Sequence, residues 1–145
     1  MSKVLLDANV LIAMSWPAHV SHAAALRWFA RNASRGWVTC PVTEAAFVRI
    51  LSNPAFSPNA LVPRQALALL QANVAHSHHH FWPDDLPLVE ALGGSVKGVA
   101  GHKQITDAYL LALAAHHRGA LASFDKGVGE LARMVGSSFE LVASP

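Results

Sequence analysis

Cysteine is nearly absent from this chain of 145 residues: Cys40 stands alone. No intramolecular disulfide can form, so a reducing, cytosolic setting is expected. Charge is sparse as well. Only 14% of residues are charged against 52% hydrophobic, a balance that excludes extended disorder and describes a densely packed globular protein. Long apolar runs are missing too: none approaches the roughly 20 residues of a membrane-spanning helix. The N-terminal stretch meets an acid at Asp7, too early for the apolar core of a signal peptide. A soluble protein without membrane association is expected. No internal repeat, low-complexity tract or linker interrupts the chain, so residues 1–145 read as one domain.

Short apolar runs predict strands over 3–6, 37–40, 120–124 and 139–142, with an edge strand within 76–82 halted by Pro83. The helical period predicts helices over 10–14, 20–32, 63–74, 86–92, 102–117 and 128–135. Another follows Thr43, read as its N-cap, with Phe47, Ile50 and Leu51 as the apolar stripe. Leu26 and Phe29 give the 20–32 helix an apolar side, with Arg27, Arg31 and Arg35 facing away. Gly36 and Gly119 read as helix stops and the glycine-rich stretch 93–101 as a mobile loop. Strands alternating with helices imply parallel βαβ units. The expected fold is therefore α/β, a central parallel sheet of four or five strands flanked by helices.

Four of the nine carboxylates sit where a predicted strand gives out or a helix begins. Asp7 follows Val-Leu-Leu, Glu44 follows Cys-Pro-Val-Thr, Asp107 opens the strongest helical pattern, and Asp125 follows Ala-Leu-Ala-Ser-Phe. In an open α/β sheet, ligands collect beyond the carboxyl ends of parallel strands, where acids distant in sequence can converge. Taken singly, each acid also fits a turn or a helix N-terminus. Jointly, one site explains them better than four coincidences. Two like charges ~4 Å apart repel by roughly 4 kcal/mol at an effective dielectric near 20, so such a cluster needs a cation. All-oxygen donors select Mg²⁺, with Mn²⁺ as its substitute. That cation activates water and neutralises charge on a phosphodiester, the chemistry of a nuclease or a phosphatase. With a formal net charge of +2 and four acids gathered in one cleft, the remaining surface is basic, which suits a polyanionic substrate.

Four motifs run in order along nearly the whole chain: Leu-Leu-Asp-Ala-Asn at 5–9, Thr-Glu at 43–44 with Arg49 five residues on, Ile-Thr-Asp-Ala-Tyr-Leu-Leu-Ala-Leu-Ala at 105–114, and Leu-Ala-Ser-Phe-Asp-Lys-Gly at 121–127. Together they resemble a PIN domain of the VapC toxin type. Asn53-Pro54 and Phe81-Trp82-Pro83-Asp84-Asp85 are similar to mycobacterial-type members. The resemblance implies a Mg²⁺-dependent endoribonuclease of a type II toxin–antitoxin module, restrained by a cognate VapB-type antitoxin and usually a homodimer. It implies Asp7, Glu44, Asp107 and Asp125 as the acidic quartet that holds metal. Asn9, Thr106 and Ser123 would orient those ligands, and Arg49, Lys103 and Lys126 would contact RNA phosphates.

Other readings compete less well. A haloacid-dehalogenase-like phosphatase also places an acid after its first strand, but its Asp-x-Asp is Asp7-Ala8-Asn9 here, without the second acid. A non-catalytic binding module would not require four mutually repelling acids. His76, His78, His79 and His80 form an irregular internal tract, with no cysteine or second ligand group at zinc-finger spacing. His19 and His22 read as a solvated helix end or an RNA contact. Trp16 and Trp82, each beside a proline, read as surface contacts, and Trp28 and Trp37 as core or interface anchors.

Overall fold

The computed structural model describes residues 2–93 and 101–143. The glycine-rich stretch expected as a mobile loop therefore lies almost wholly outside the described residues. Five strands, β1 (Val4–Leu6), β2 (Trp37–Thr39), β3 (His79–Phe81), β4 (Ala120–Ser123) and β5 (Phe139–Leu141), form one sheet in the order β3-β2-β1-β4-β5. Every pairing is parallel. Seven helices flank it among the described residues: α1 (Ala8–Ser15), α2 (His22–Asn32), α3 (Pro41–Leu51), α4 (Pro63–Val74), α5 (Leu88–Gly93), α6 (Ile105–His116) and α7 (Lys126–Val135). This is the expected α/β architecture, and the 76–82 segment does supply an edge strand.

The sheet is covered on both faces, which is why its central strands read as continuous apolar runs. Successive side chains alternate across the sheet. Leu5, Val38 and Leu121 pack with Leu110 and Leu113 of α6 on one face, while Val4, Leu6, Trp37 and Ala122 pack with Leu11, Phe47 and Leu51 on the other. Strand order reverses between β1 and β4. That switch point opens a crevice beyond their carboxyl ends, where ligands settle in such sheets.

Several expected details change. Helix α3 begins at Pro41, two residues before Thr43, because proline suits the first helical position, where no N–H is needed. Thr43 instead occupies the third position, its hydroxyl accepting the Cys40 N–H at 3.1 Å. Leu26 is exposed, and α2 buries Ala24 and Ala25 in its place. Arg35 does not face away: its guanidinium donates to the Ser2 carbonyl at 2.7 Å and pairs with Glu140 of β5 at 2.6 Å.

Helix α6 is preceded by a 3₁₀ turn, His102–Gln104. Arg118, rather than Gly119, takes the left-handed backbone (φ +57°) that ends it, and the Gly119 N–H bonds the Ala114 carbonyl at 2.7 Å. Gly119 matters for space instead. A Cβ there would lie 2.5 Å from Cη2 of Trp82 and 2.7 Å from the Lys3 carbonyl oxygen. Trp82 is accordingly a core residue and not a surface contact. Trp16 is half-buried, edge-on to Phe56 at 5.4 Å between ring centres.

Candidate active site

Two loops meet at the crevice between β1 and β4. Asp7 follows β1, its N–H bonded to the Ala122 carbonyl of β4 at 2.9 Å, and it also caps α1, Oδ1 accepting from the Ala8 N–H at 2.8 Å. Its other oxygen, Oδ2, accepts the hydroxyl proton of Ser123 at 2.8 Å. Ser123 is fully buried at the end of β4. The Ser123 hydroxyl oxygen in turn accepts from Asn9 Nδ2 at 2.9 Å and from the Asp125 N–H at 3.1 Å. Asn9 completes the ring by accepting the Phe124 N–H at 3.3 Å. Asp125 caps α7 as Asp7 caps α1, its Oδ1 accepting from the Gly127 N–H at 2.8 Å.

Asp107 stands in the first turn of α6, near enough to Asp7 and Asp125 for their charges to act on it. Burial pushes its carboxyl up to about 6, and the negative charges of Asp7 and Asp125 push in the same direction. Asp7 is also raised, first by burial and last by Asp125, with the bonds from Ser123 and Ala8 working against the rise. Three of the four expected acids therefore feel one another's charge.

Glu44 is held by a different partner. Its Oε2 accepts the Thr39 hydroxyl proton at 2.7 Å, and that hydroxyl lies 2.7 Å from His79 Nε2, which reaches across from β3. With Thr39 donating to Glu44, the nitrogen facing it carries the proton. Glu44 also lines a pocket of about 340 Å³ with Leu67, Leu70, Gln71 and Val74.

The remaining expected residues fall on several other elements. Thr106 lines a pocket of about 290 Å³ with Val42, Asp84, Leu88, Ile105 and Tyr109. Arg49 is in the last turn of α3, Lys103 in the 3₁₀ turn before α6 and Lys126 at the first position of α7, all exposed. The histidine tract packs rather than gathers. The ring of His76 lies edge-on to Phe29 and Trp37, and its Nδ1 accepts from Trp37 Nε1 at 3.3 Å. His22 Nδ1 bonds the Ala13 carbonyl at 2.7 Å.

Sequence reasoning missed Thr39 and Asp84. The signal for Thr39 was a lone hydroxyl at the end of a buried strand, and for Asp84 only its place within a motif. Burial raises Asp84, as does the charge of Asp85, while a hydrogen bond with Cys40 lowers it.

The donor set fits a hard divalent cation. Three carboxylates supply only oxygen, and Asp107 holds its proton to about 6 because, among the described residues, no positive charge offsets its burial and its neighbours. Each oxygen of Asp7 that accepts one hydrogen bond retains a second lone pair for a ligand.

Known proteins share both sequence and architecture with this chain. The PIN domain family model matches residues 4–134. Ribonuclease VapC39 of Mycobacterium tuberculosis (strain ATCC 25618 / H37Rv) is 47% identical over 128 residues, 88% of this chain and 92% of the relative. Ribonuclease VapC38 of the same strain is 43% identical over 129 residues, 89% of each. Among solved structures, VapBC2 from Rickettsia felis bound to a DNA fragment from their promoter superposes with a TM-score of 0.64 at 13% identity, over 96% of this chain and 98% of that one. DNA-bound VapBC from Salmonella typhimurium gives 0.64 at 17% identity, over 99% and 100%. At such low identity these two establish the fold alone.

Proposed function

The chain belongs to the PIN domain family and to the VapC ribonucleases within it, and from that premise we propose that it is a Mg²⁺-dependent endoribonuclease, the toxin of a type II toxin–antitoxin module. The observation that carries this reading is the meeting of Asp7, Asp107 and Asp125 at the switch-point crevice, with Ser123 bonded to two of them. Its partners are RNA as substrate, a VapB-type antitoxin and a second copy of the chain. Among the described residues no helix is long and apolar enough to cross a membrane.

Asp7, Asp107 and Asp125 would hold the cation, with Glu44 as the fourth acid. When bound, Mg²⁺ or Mn²⁺ supplies charge neutralisation on the phosphodiester and activation of the attacking water. Ser123 fixes the rotamer of Asp7 by donating to Oδ2, and ties it to the loop that carries Asp125 through that loop's N–H. Asn9 holds Ser123 and the Phe124 backbone, so the two loops keep a constant separation. Thr39 orients Glu44 from the floor of the sheet. Arg49, Lys103 and Lys126 present positive charge to RNA phosphates.

The test is cleavage of RNA by purified protein with Mg²⁺, with Mn²⁺ and with EDTA, beside Asp107→Asn. Cleavage that requires either cation and collapses in the variant is expected. Full activity in EDTA, or near-wild-type cleavage by Asp107→Asn, would overturn the reading.

A further inference from the structure

A second group of metal-type donors lies at the other end of α6. His116, the last residue of that helix, and His117, its C-cap, turn their Nε2 atoms toward one carboxylate, that of Asp85. His117 Nε2 is 2.9 Å from Oδ1 and His116 Nε2 is 3.7 Å from Oδ2. All three donor atoms lie within 4.8 Å of one another. Around a tetrahedral Zn²⁺ with bonds near 2.0–2.1 Å, neighbouring donors stand about 3.3 Å apart, and the two His–Asp distances bracket that figure.

The geometry points to a divalent transition-metal site, of the Zn²⁺ class, formed by Asp85, His116 and His117. The His117 ring is stacked on buried Trp82, 4.6 Å between ring centres at 11°. Because Trp82 stands only three residues before Asp85, one anchored segment positions both the carboxylate and the imidazole that faces it. A plain ion pair at a helix C-terminus would account for one histidine near Asp85, but not for two rings converging by the same nitrogen on the two oxygens of one carboxylate.

Two imidazoles and a carboxylate select zinc, nickel or copper over Mg²⁺, the opposite preference to the all-oxygen cluster around Asp107. Asp107 lies nine residues earlier on the helix, about 14 Å away along its axis. The two sites are thus separate in position and chemistry, and the inference does not depend on the ribonuclease reading. Partial exposure of Asp85 and His116 leaves the fourth position to water. A bound ion would tie the segment after β3 to the end of α6.

The test is titration of EDTA-stripped protein with Zn²⁺, followed by calorimetry and thermal melting. One equivalent should bind, raise Tm, and remain bound in excess Mg²⁺. Asp85→Asn and His116→Gln, changes to half-exposed side chains, should each weaken binding at least tenfold while circular dichroism stays unchanged. Asp107→Asn and the paired change His78→Ala/His80→Ala should bind Zn²⁺ as the wild type does. No binding by the wild type, undiminished binding by Asp85→Asn, or loss in either control variant would overturn the proposal.

Discussion

Ser123 has one proton to donate and two lone pairs, and all three are engaged: Asp7 takes the proton, while Asn9 and the Asp125 N–H take the lone pairs. Removing the hydroxyl would release Oδ2 of Asp7 and take the acceptor from two donors, Asn9 Nδ2 and the Asp125 N–H. Ser123→Ala is therefore expected to lower RNA cleavage 10–100-fold with the fold retained, as steady-state cleavage beside circular dichroism would show. Activity equal to wild type would remove Ser123 from the site. Asp107 offers the cleanest probe of crowding, since no hydrogen bond among the described residues offsets the charges of Asp7 and Asp125. Its folded pKa, about 6, lies above the unfolded value of 3.8. The folded protein thus keeps a proton the unfolded chain has lost, so this group's contribution to stability is greatest below 3.8 and declines as pH rises through 6. Asp107→Asn cannot titrate, so in EDTA its Tm should rise relative to wild type between pH 5 and pH 7, and a difference that stays flat would refute the crowding. Asp7→Asn is less informative, because both carboxylate oxygens accept hydrogen bonds and an amide offers only one acceptor. The acids were legible in sequence because carboxylates at strand ends are conspicuous. Thr39 was not, because a hydroxyl in an apolar strand gives no sign of the side chain it will meet across the sheet.

Helices α3 and α6 show how far pattern reading carries an element. Their apolar faces were evident from spacing, yet both ends were set by contacts remote in sequence or by backbone chemistry. Pro41 moved the start of α3 upstream of Thr43, and Arg118 closed α6 in a conformation that sequence assigns to glycine. Glycine at 119 is required by Trp82 and the Lys3 backbone, which come from other parts of the chain. Gly119→Ala should consequently destabilise the protein by about 1–3 kcal/mol through overpacking. Denaturant unfolding would measure it, and a loss below about 0.5 kcal/mol, the range of ordinary surface substitutions, would contradict the close approach. Arg35 illustrates the same gap: helical spacing placed it outside, whereas Glu140, over a hundred positions away, draws it in. Local pattern reports which face is apolar. It does not report which polar side chain finds a buried partner.

For the molecule as a whole, the parallel order β3-β2-β1-β4-β5 brings Asp7 beside Ser123 and Asp125, across more than a hundred residues of sequence. The capping roles of Asp7 and Asp125 and their clustering turn out to be compatible, since one oxygen of each serves its helix while the carboxylate still faces its neighbour's charge. This makes the acidic end of the sheet both a structural joint and a concentration of like charge, and the stability of the whole domain should respond to what occupies it. Binding to the folded state alone adds about 2.7 kcal/mol when the cation is at 100 times its dissociation constant, which for a domain of this size raises Tm by roughly 5–10 °C. Mg²⁺ or Mn²⁺ should produce such a rise in the wild type, and a much smaller one in Asp107→Asn, which keeps the fold but lacks one charged ligand. Cleavage should follow the same cations and should not be restored to the EDTA-treated enzyme by Zn²⁺, whose preferred nitrogen donors lie elsewhere on the protein. Scanning calorimetry beside an RNA-cleavage assay separates the possibilities: an equal Mn²⁺ response in wild type and variant would place the cation away from Asp107, and Zn²⁺-restored cleavage would contradict a site built for hard cations.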